Sequence, residues 1–218
     1  SSVGISIYKL KIILFMRYIM STAVEIAYKN ALDATDYILR ELVNIDLAKS
    51  VINSVNDNQI KNKIFLVRRL RKYIGLSNNP NIAVVGGWYG LAAYLIKDFY
   101  NVDVTNVDKD PMCKEIGKKI FPDLNHVTSS IEDFNFKGYS YVICPSCEHI
   151  EDSVINNMIS RCDLYTVFIL LSNNYKGPRD HINIKNDITE FKNSINLDIK
   201  DEYILELEKY NRFMIVGY

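Results

Sequence analysis

Apolar positions recur every three or four residues through much of the first third of the chain. Val24, Ala27, Tyr28, Ala31, Ala34, Ile38 and Leu42 make one such stripe, which predicts a helix from Thr22 to Leu42. Thr22 and Glu25 have the spacing of a capping box at its start. A short second helix is predicted over Leu47–Val55 and a third over Gln59–Ile74, stopped by Gly75 and the cluster Ser77-Asn78-Asn79-Pro80. From Asn81 the period changes. Strand-like runs at Ile82–Val85, Val102–Val107, Leu124–Thr128, Tyr139–Cys144 and Tyr165–Leu171 alternate with helical patterns at Leu91–Phe99, Pro111–Ile120, Asp152–Ser160 and Asp187–Ile195. Tyr165–Leu171 is continuously apolar, as a buried parallel strand should be. The last two runs, Ile199–Leu207 and Tyr210–Val216, are separated only by Glu208 and Lys209. So short a link cannot make a parallel crossover, so these strands pair as an antiparallel hairpin. The expected fold is α/β: a doubly wound, mostly parallel seven-stranded sheet with a terminal antiparallel hairpin and an N-terminal helical layer.

Composition narrows this picture without redirecting it. The 218 residues suffice for one large α/β domain with a helical extension. We divide them into an N-terminal appendage (1–20), a helical layer (21–80) and the α/β domain (81–218). Lysine plus arginine balance aspartate plus glutamate at 26 each, so the overall charge demands no polyanionic partner. Lys61 to Lys72 nonetheless carries six basic residues among apolar ones. Such a helix can touch nucleic acid or membrane; a solvated face on a helix packed against the sheet is the preferred reading for a neutral chain. Ile5–Met20 is apolar but broken by Lys9, Lys11 and Arg17, too short and too charged to span a membrane. It is expected as an exposed strand through which copies of the chain assemble. Cys113, Cys144, Cys147 and Cys162 read as reduced intracellular thiols, which with the absent span implies a cytoplasmic protein. Cys144-Pro145-Ser146-Cys147 has redox or metal spacing but no second pair, and no metal is expected.

The candidate chemistry starts at Val84-Val85-Gly86-Gly87-Trp88-Tyr89-Gly90-Leu91, a strand, a glycine turn and a helix start. Glycines there permit positive φ and close approach of a ligand to the backbone, and the helix N-terminus presents unpaired N–H groups. Asp108, about twenty residues further on at the end of the next strand, is placed to hold a ribose. Together these predict a nucleotide-type cofactor site.

With the acidic pair Glu132-Asp133 and the closing hairpin, this pattern resembles class I S-adenosylmethionine-dependent methyltransferases. Gly86-Gly87-Trp88-Tyr89-Gly90-Leu91, Ser146-Cys147-Glu148-His149-Ile150 and Tyr210-Asn211-Arg212-Phe213-Met214-Ile215-Val216-Gly217 resemble a little-characterised methyltransferase-like group known largely from phage and marine microbes. A phage protein would work in the host cytoplasm. The resemblance runs from about Asn81 to the C-terminus and implies a Rossmann-like domain binding S-adenosylmethionine. Where the family turn carries an acid and a central glycine, this chain has Val84 and Trp88.

The resemblance implies that Gly86, Gly87, Trp88, Gly90, Asp108 and Cys144 contact the cofactor, with Asp133 at the adenine and Glu132 as its alternate. His149 is the favoured proton acceptor, with Glu148 second, and Ser146, Cys147, Asn173, His181, Tyr210 and Arg212 are the expected acceptor contacts. The bland readings are a capping Glu148, loop hydrogen bonds for Asn173 and His181, and an edge-strand surface charge for Arg212. The expected activity is methyl transfer to an unidentified acceptor, a small molecule rather than nucleic acid. The alternatives are a degenerate cofactor-binding or structural subunit of a larger assembly, and a nucleic-acid methyltransferase.

Overall fold

A computed structural model describes residues 2–74 and 79–218, with side chains described from Met20 onward. Three helices come first: α1 (Ser2–Tyr37, closed by a π-type turn at Ile38–Leu42), α2 (Ile45–Ser54) and α3 (Asp57–Ile74). The α/β part follows as β1 (Ile82–Val85), α4 (Leu91–Tyr100), β2 (Val104–Asp108), α5 (Pro111–Ile120), β3 (Asn125–Thr128) and β4 (Tyr141–Cys144). It continues with α6 (Asp152–Ser160), β5 (Val167–Asn173), α7 (Ile188–Ser194), β6 (Ile199–Glu206) and β7 (Asn211–Gly217).

The N-terminal helix is longer than its apolar stripe predicts. It runs helically from Ser2, so Ile5–Met20 is no strand, and Thr22 and Glu25 lie inside the helix rather than capping it. The buried face is Met20, Ala23, Ala27, Ala31, Ala34 and Ile38, while Tyr28 and Leu42 point outward. Small alanines let α1 approach α4 and α5, and Asn30 Nδ2 donates to the free carbonyl of Ile120 at the end of α5, 2.7 Å away. Val43, at φ +48°, stops the π turn. Of the predicted stop after α3, Gly75, Ser77 and Asn78 lie outside the described residues.

Among the described residues the strands form one seven-stranded sheet in the order β3-β2-β1-β4-β5-β7-β6. The five strands from β3 to β5 run parallel. β7 enters antiparallel beside β5 and β6 pairs antiparallel with β7, so the hairpin's first strand is the edge. Alternate residues of each strand face opposite layers. Ile82, Val84, Ile143 and Ile169 pack with Leu66, Leu70, Leu95, Ile96 and Ile116 from α3, α4 and α5. Ala83, Val85, Val142 and Phe168 pack with Ile155, Met158 and Phe191 from α6 and α7.

The basic run on α3 belongs to this packing. Lys63 is buried, Arg69 lies over the Tyr203 ring at 4.7 Å, and Lys72 pairs with Asp201 of β6 at 2.7 Å. The helix is laid against the hairpin end of the sheet, as the plainer sequence reading has it. Among the described residues no helix is long and apolar enough to cross a membrane.

Candidate active site

Successive strands step outward from β1 to β2 and β3, whereas β4 and β5 lie on its other side. The sheet therefore opens a crevice at the carboxyl ends of β1 and β4, where doubly wound folds bind ligands. Two adjoining cavities fill it, of about 650 Å³ and 220 Å³. Gly86, Trp88, Ser146 and His149 wall both. The larger extends toward Asp108, Ser129 and Glu132, and the smaller toward α3, β5 and β7.

The glycine turn is built from backbone and one polar pair. Gly86 takes φ +60° and Trp88 φ +52°. A Cβ on Gly87 would sit 1.9 Å from Asn106 Oδ1, so this glycine is required by close approach of β2. Trp88 stands where the turn it resembles has a central glycine, and adopts a left-handed conformation. For a bulky residue that costs on the order of 1 kcal/mol. Its N–H donates to Asp108 Oδ2 at 2.8 Å and its carbonyl accepts from Asn106 Nδ2 at 3.0 Å. Asp108 also accepts from Asp110 N–H at 3.1 Å, while Asp110 itself caps α5. Asp108 thus pins the turn and faces the large cavity at once.

Several expected contacts fall elsewhere. Gly90 (φ +101°) lines neither cavity; a Cβ there would lie 2.9 Å from both His126 and Leu124, so it serves packing against β3. Glu132 borders the large cavity, whereas Asp133 turns back to accept from Ser130 Oγ at 2.7 Å, so the order of preference for this pair reverses. Cys144 and Cys147 are fully buried in the core on the α6–α7 side. Cys144 follows Val142 onto that face by strand alternation, and Cys147 turns inward with its Sγ 3.8 Å from the Cys144 carbonyl. Burial, reinforced by Cys144 and Glu148, raises the Cys147 thiol well above its ordinary value. Neither cysteine lines a cavity, which corrects the roles expected for them.

The small cavity is lined by charge. Arg212 is no edge-strand residue: β7 is interior, and Arg212 stands opposite Asn173 of β5. Its Nη1 donates to Glu148 Oε1 at 2.6 Å and its Nη2 to the Pro145 carbonyl, with both side chains only 4% exposed. Glu148 is therefore a buried ion-pair partner rather than a helix cap. Lys63 lies close by, and burial, with the Arg212 charge adding and the Glu148 charge opposing, brings its ammonium down to about 7. Asn173 accepts from the Tyr175 N–H at 2.8 Å, Tyr175 stacks on Tyr210 at 5.0 Å, and the Tyr210 hydroxyl accepts from Asn62 at 3.2 Å. His149 and His181 meet edge to face at 4.7 Å across the cavity mouth.

Asn62, Lys63, Asn106 and Tyr175 are site residues that the sequence reading missed. Two left a signal. Lys63 interrupts the apolar positions 66, 67, 70 and 74 of its helix face, and Asn106 interrupts a strand otherwise bound for the core. A polar residue on a buried stripe needs a partner or a task.

No family model matches the sequence, and no curated protein matches it. Solved structures do resemble the fold. The PH0226 protein from Pyrococcus horikoshii OT3 has a TM-score of 0.58 at 13% identity, over 74% of this chain and 92% of that one. MtNAS in complex with MTA and tNA scores 0.59 at 13% identity, over 92% and 73%. Geranyl diphosphate methyltransferase with GPP and sinefungin scores 0.55 at 10% identity, over 71% and 78%. The class this establishes is the Rossmann-like methyltransferase fold. Only the MtNAS likeness, of these three, is extensive enough to take in the helical layer as well.

Proposed function

We propose that this chain transfers the methyl group of S-adenosylmethionine to a small-molecule acceptor. The observation that carries the reading is the pair of adjoining cavities at the switch point, both bordered by the glycine turn, one reaching Asp108 and Glu132 and the other Arg212, Glu148 and Lys63. The large cavity lies within the roughly 300–1,000 Å³ of small-molecule sites and takes the cofactor, with Gly86 and Trp88 at the sulfonium end, Asp108 on the ribose and Glu132 toward the adenine. The fold likeness to geranyl diphosphate methyltransferase and to MtNAS, also solved with S-adenosylmethionine, supports that cofactor. The small cavity, about 220 Å³, limits the acceptor to a small molecule or a single protruding group.

Methyl transfer from a sulfonium is an in-line displacement, so the protein's task is to align the acceptor and remove its proton. Ser146 and His149, on the wall between the cavities, align it; Lys63, near neutrality, is available to take up the proton. The chemistry belongs in the cytoplasm, where the cofactor and reduced thiols are found.

Calorimetric titration of S-adenosylmethionine and S-adenosylhomocysteine into the wild type and Asp108→Ala tests this. Saturable binding, weakened in the variant, is expected. Folded wild type that binds neither ligand would overturn the reading and favour a structural subunit. The MtNAS likeness across 92% of the chain adds a second outcome to assay, release of MTA in place of S-adenosylhomocysteine.

A further inference from the structure

Glu148, His149 and His181 each offer one ligand atom within 4.8 Å of the other two. They come from different elements: Glu148 and His149 from the turn after β4, His181 from the loop between β5 and α7. Three details set them apart from a chance cluster. Glu148 is 3% exposed, and while its Oε1 is held by Arg212, its Oε2 has no hydrogen-bond partner. A buried carboxylate oxygen left bare is costly and points to a missing ligand.

The histidines supply the second and third details. His149 Nδ1 lies 3.0 Å from the Asp180 carbonyl and 3.3 Å from the Asp180 carboxylate. His181 Nδ1 lies 2.8 Å from the Tyr175 carbonyl. All of these neighbours are acceptors, so they favour the tautomer with the proton on Nδ1, which turns Nε2 into the nitrogen a metal ion would take. That is the outer hydrogen bonding that orients metal-bound imidazoles, including the carboxylate–histidine arrangement.

We propose that Glu148, His149 and His181 bind one divalent transition-metal ion at the mouth of the small cavity. Two imidazoles and one carboxylate suit a borderline ion such as Zn²⁺ rather than Mg²⁺ or Ca²⁺. Bonds of about 2.1 Å at tetrahedral angles put donors about 3.4 Å apart. One ligand atom of each residue already lies within 4.8 Å of the other two, and a small shift of the loop that carries His181 and Tyr175 together closes the remainder. Protein ligands fill three positions, and His149 walls both cavities, so the remaining position faces the crevice. A bound ion there takes an acceptor oxygen and favours its deprotonated form. This last role rests on the methyl-transfer reading; the metal affinity does not.

The test is Zn²⁺ alone, added to the chelator-treated full chain without S-adenosylmethionine and followed by calorimetry and by metal content after dialysis. One Zn²⁺ per chain is expected, weakened at least about tenfold in His149→Ala and in His181→Ala. Glu148→Gln should weaken it too, but Arg212 depends on Glu148 for folding, so the two half-exposed histidines decide. Folded wild type that retains no Zn²⁺, or two histidine variants that retain it undiminished, would overturn the proposal. Titration of S-adenosylmethionine into the metal-free wild type separates this failure from failure of the methyl-transfer reading, because each binding is then read without the other ligand.

Discussion

The two cavities share the glycine turn as a wall and differ in what stands opposite it. The large one is bordered by Gly86 and Trp88 of the glycine turn, which Asp108 and Asn106 pin, and by the loops that follow β2, β3, β4 and β5. The small one sets against the same turn side chains from α3, β5, β7 and two loops, which meet around the buried Arg212–Glu148 pair. The first depends on shape and local hydrogen bonds, the second on charges held out of water. A local turn fails by steric change at one residue. A buried ion pair fails when either end is removed, because the other is left uncompensated.

The largest effect should therefore come from Arg212→Ala. Breaking a buried pair costs about 3–5 kcal/mol, which urea denaturation will register as a large fall in midpoint. Replacing both ends, Arg212→Met with Glu148→Leu, should restore most of that stability. A double variant no more stable than the single would break the comparison, since it would mean that the pair's loss acts through shape.

Gly87→Ala comes next. Its Cβ would strike Asn106 Oδ1, and the required shift should cost about 1–3 kcal/mol and weaken cofactor binding at least tenfold by calorimetry. Asp108→Ala should weaken cofactor binding by about one order of magnitude, the worth of a charge-assisted hydrogen bond, with a smaller loss of stability.

Lys63 sharpens the contrast through pH. Its folded-state pKa, about 7, is below its ordinary 10.5, so between those values the unfolded chain holds more protons than the folded one. Stability from this group is full above 10.5 and is lost as pH falls toward 7. Urea midpoints should rise with pH across this window in the wild type and rise less steeply in Lys63→Met. The smallest effect is expected from the acidic pair. Glu132→Ala should weaken cofactor binding about threefold or less, and Asp133→Ala, which faces Ser130, should leave it unchanged.

The same difference explains what could be read in advance. α5 and α6 have the boundaries predicted from periodicity and from Pro111, and the hairpin follows from its two-residue link. The glycine turn and Asp108 were legible because their partners lie within about twenty residues. The length of α1 was not, because Lys9, Lys11 and Arg17 interrupt the apolar run without interrupting the helix. Cys147 and Glu148 are both expected in the pocket as neighbours of Ser146, yet adjacent residues in a tight turn point different ways: Cys147 turns into the core, while Glu148 borders the small cavity and pairs with Arg212.

What the sequence determined by itself is the order and type of elements, the glycine turn and its acid, since periodicity, turn chemistry and short-range spacing are local properties. Tertiary structure alone decided that β7 is interior, which buries Arg212 and makes Glu148 its partner across 64 residues. It alone brought His181 to His149 and turned Lys63 inward to share one cavity with them. No local rule encodes such meetings: they depend on which strands become neighbours, and that is settled by burying both faces of the sheet at once.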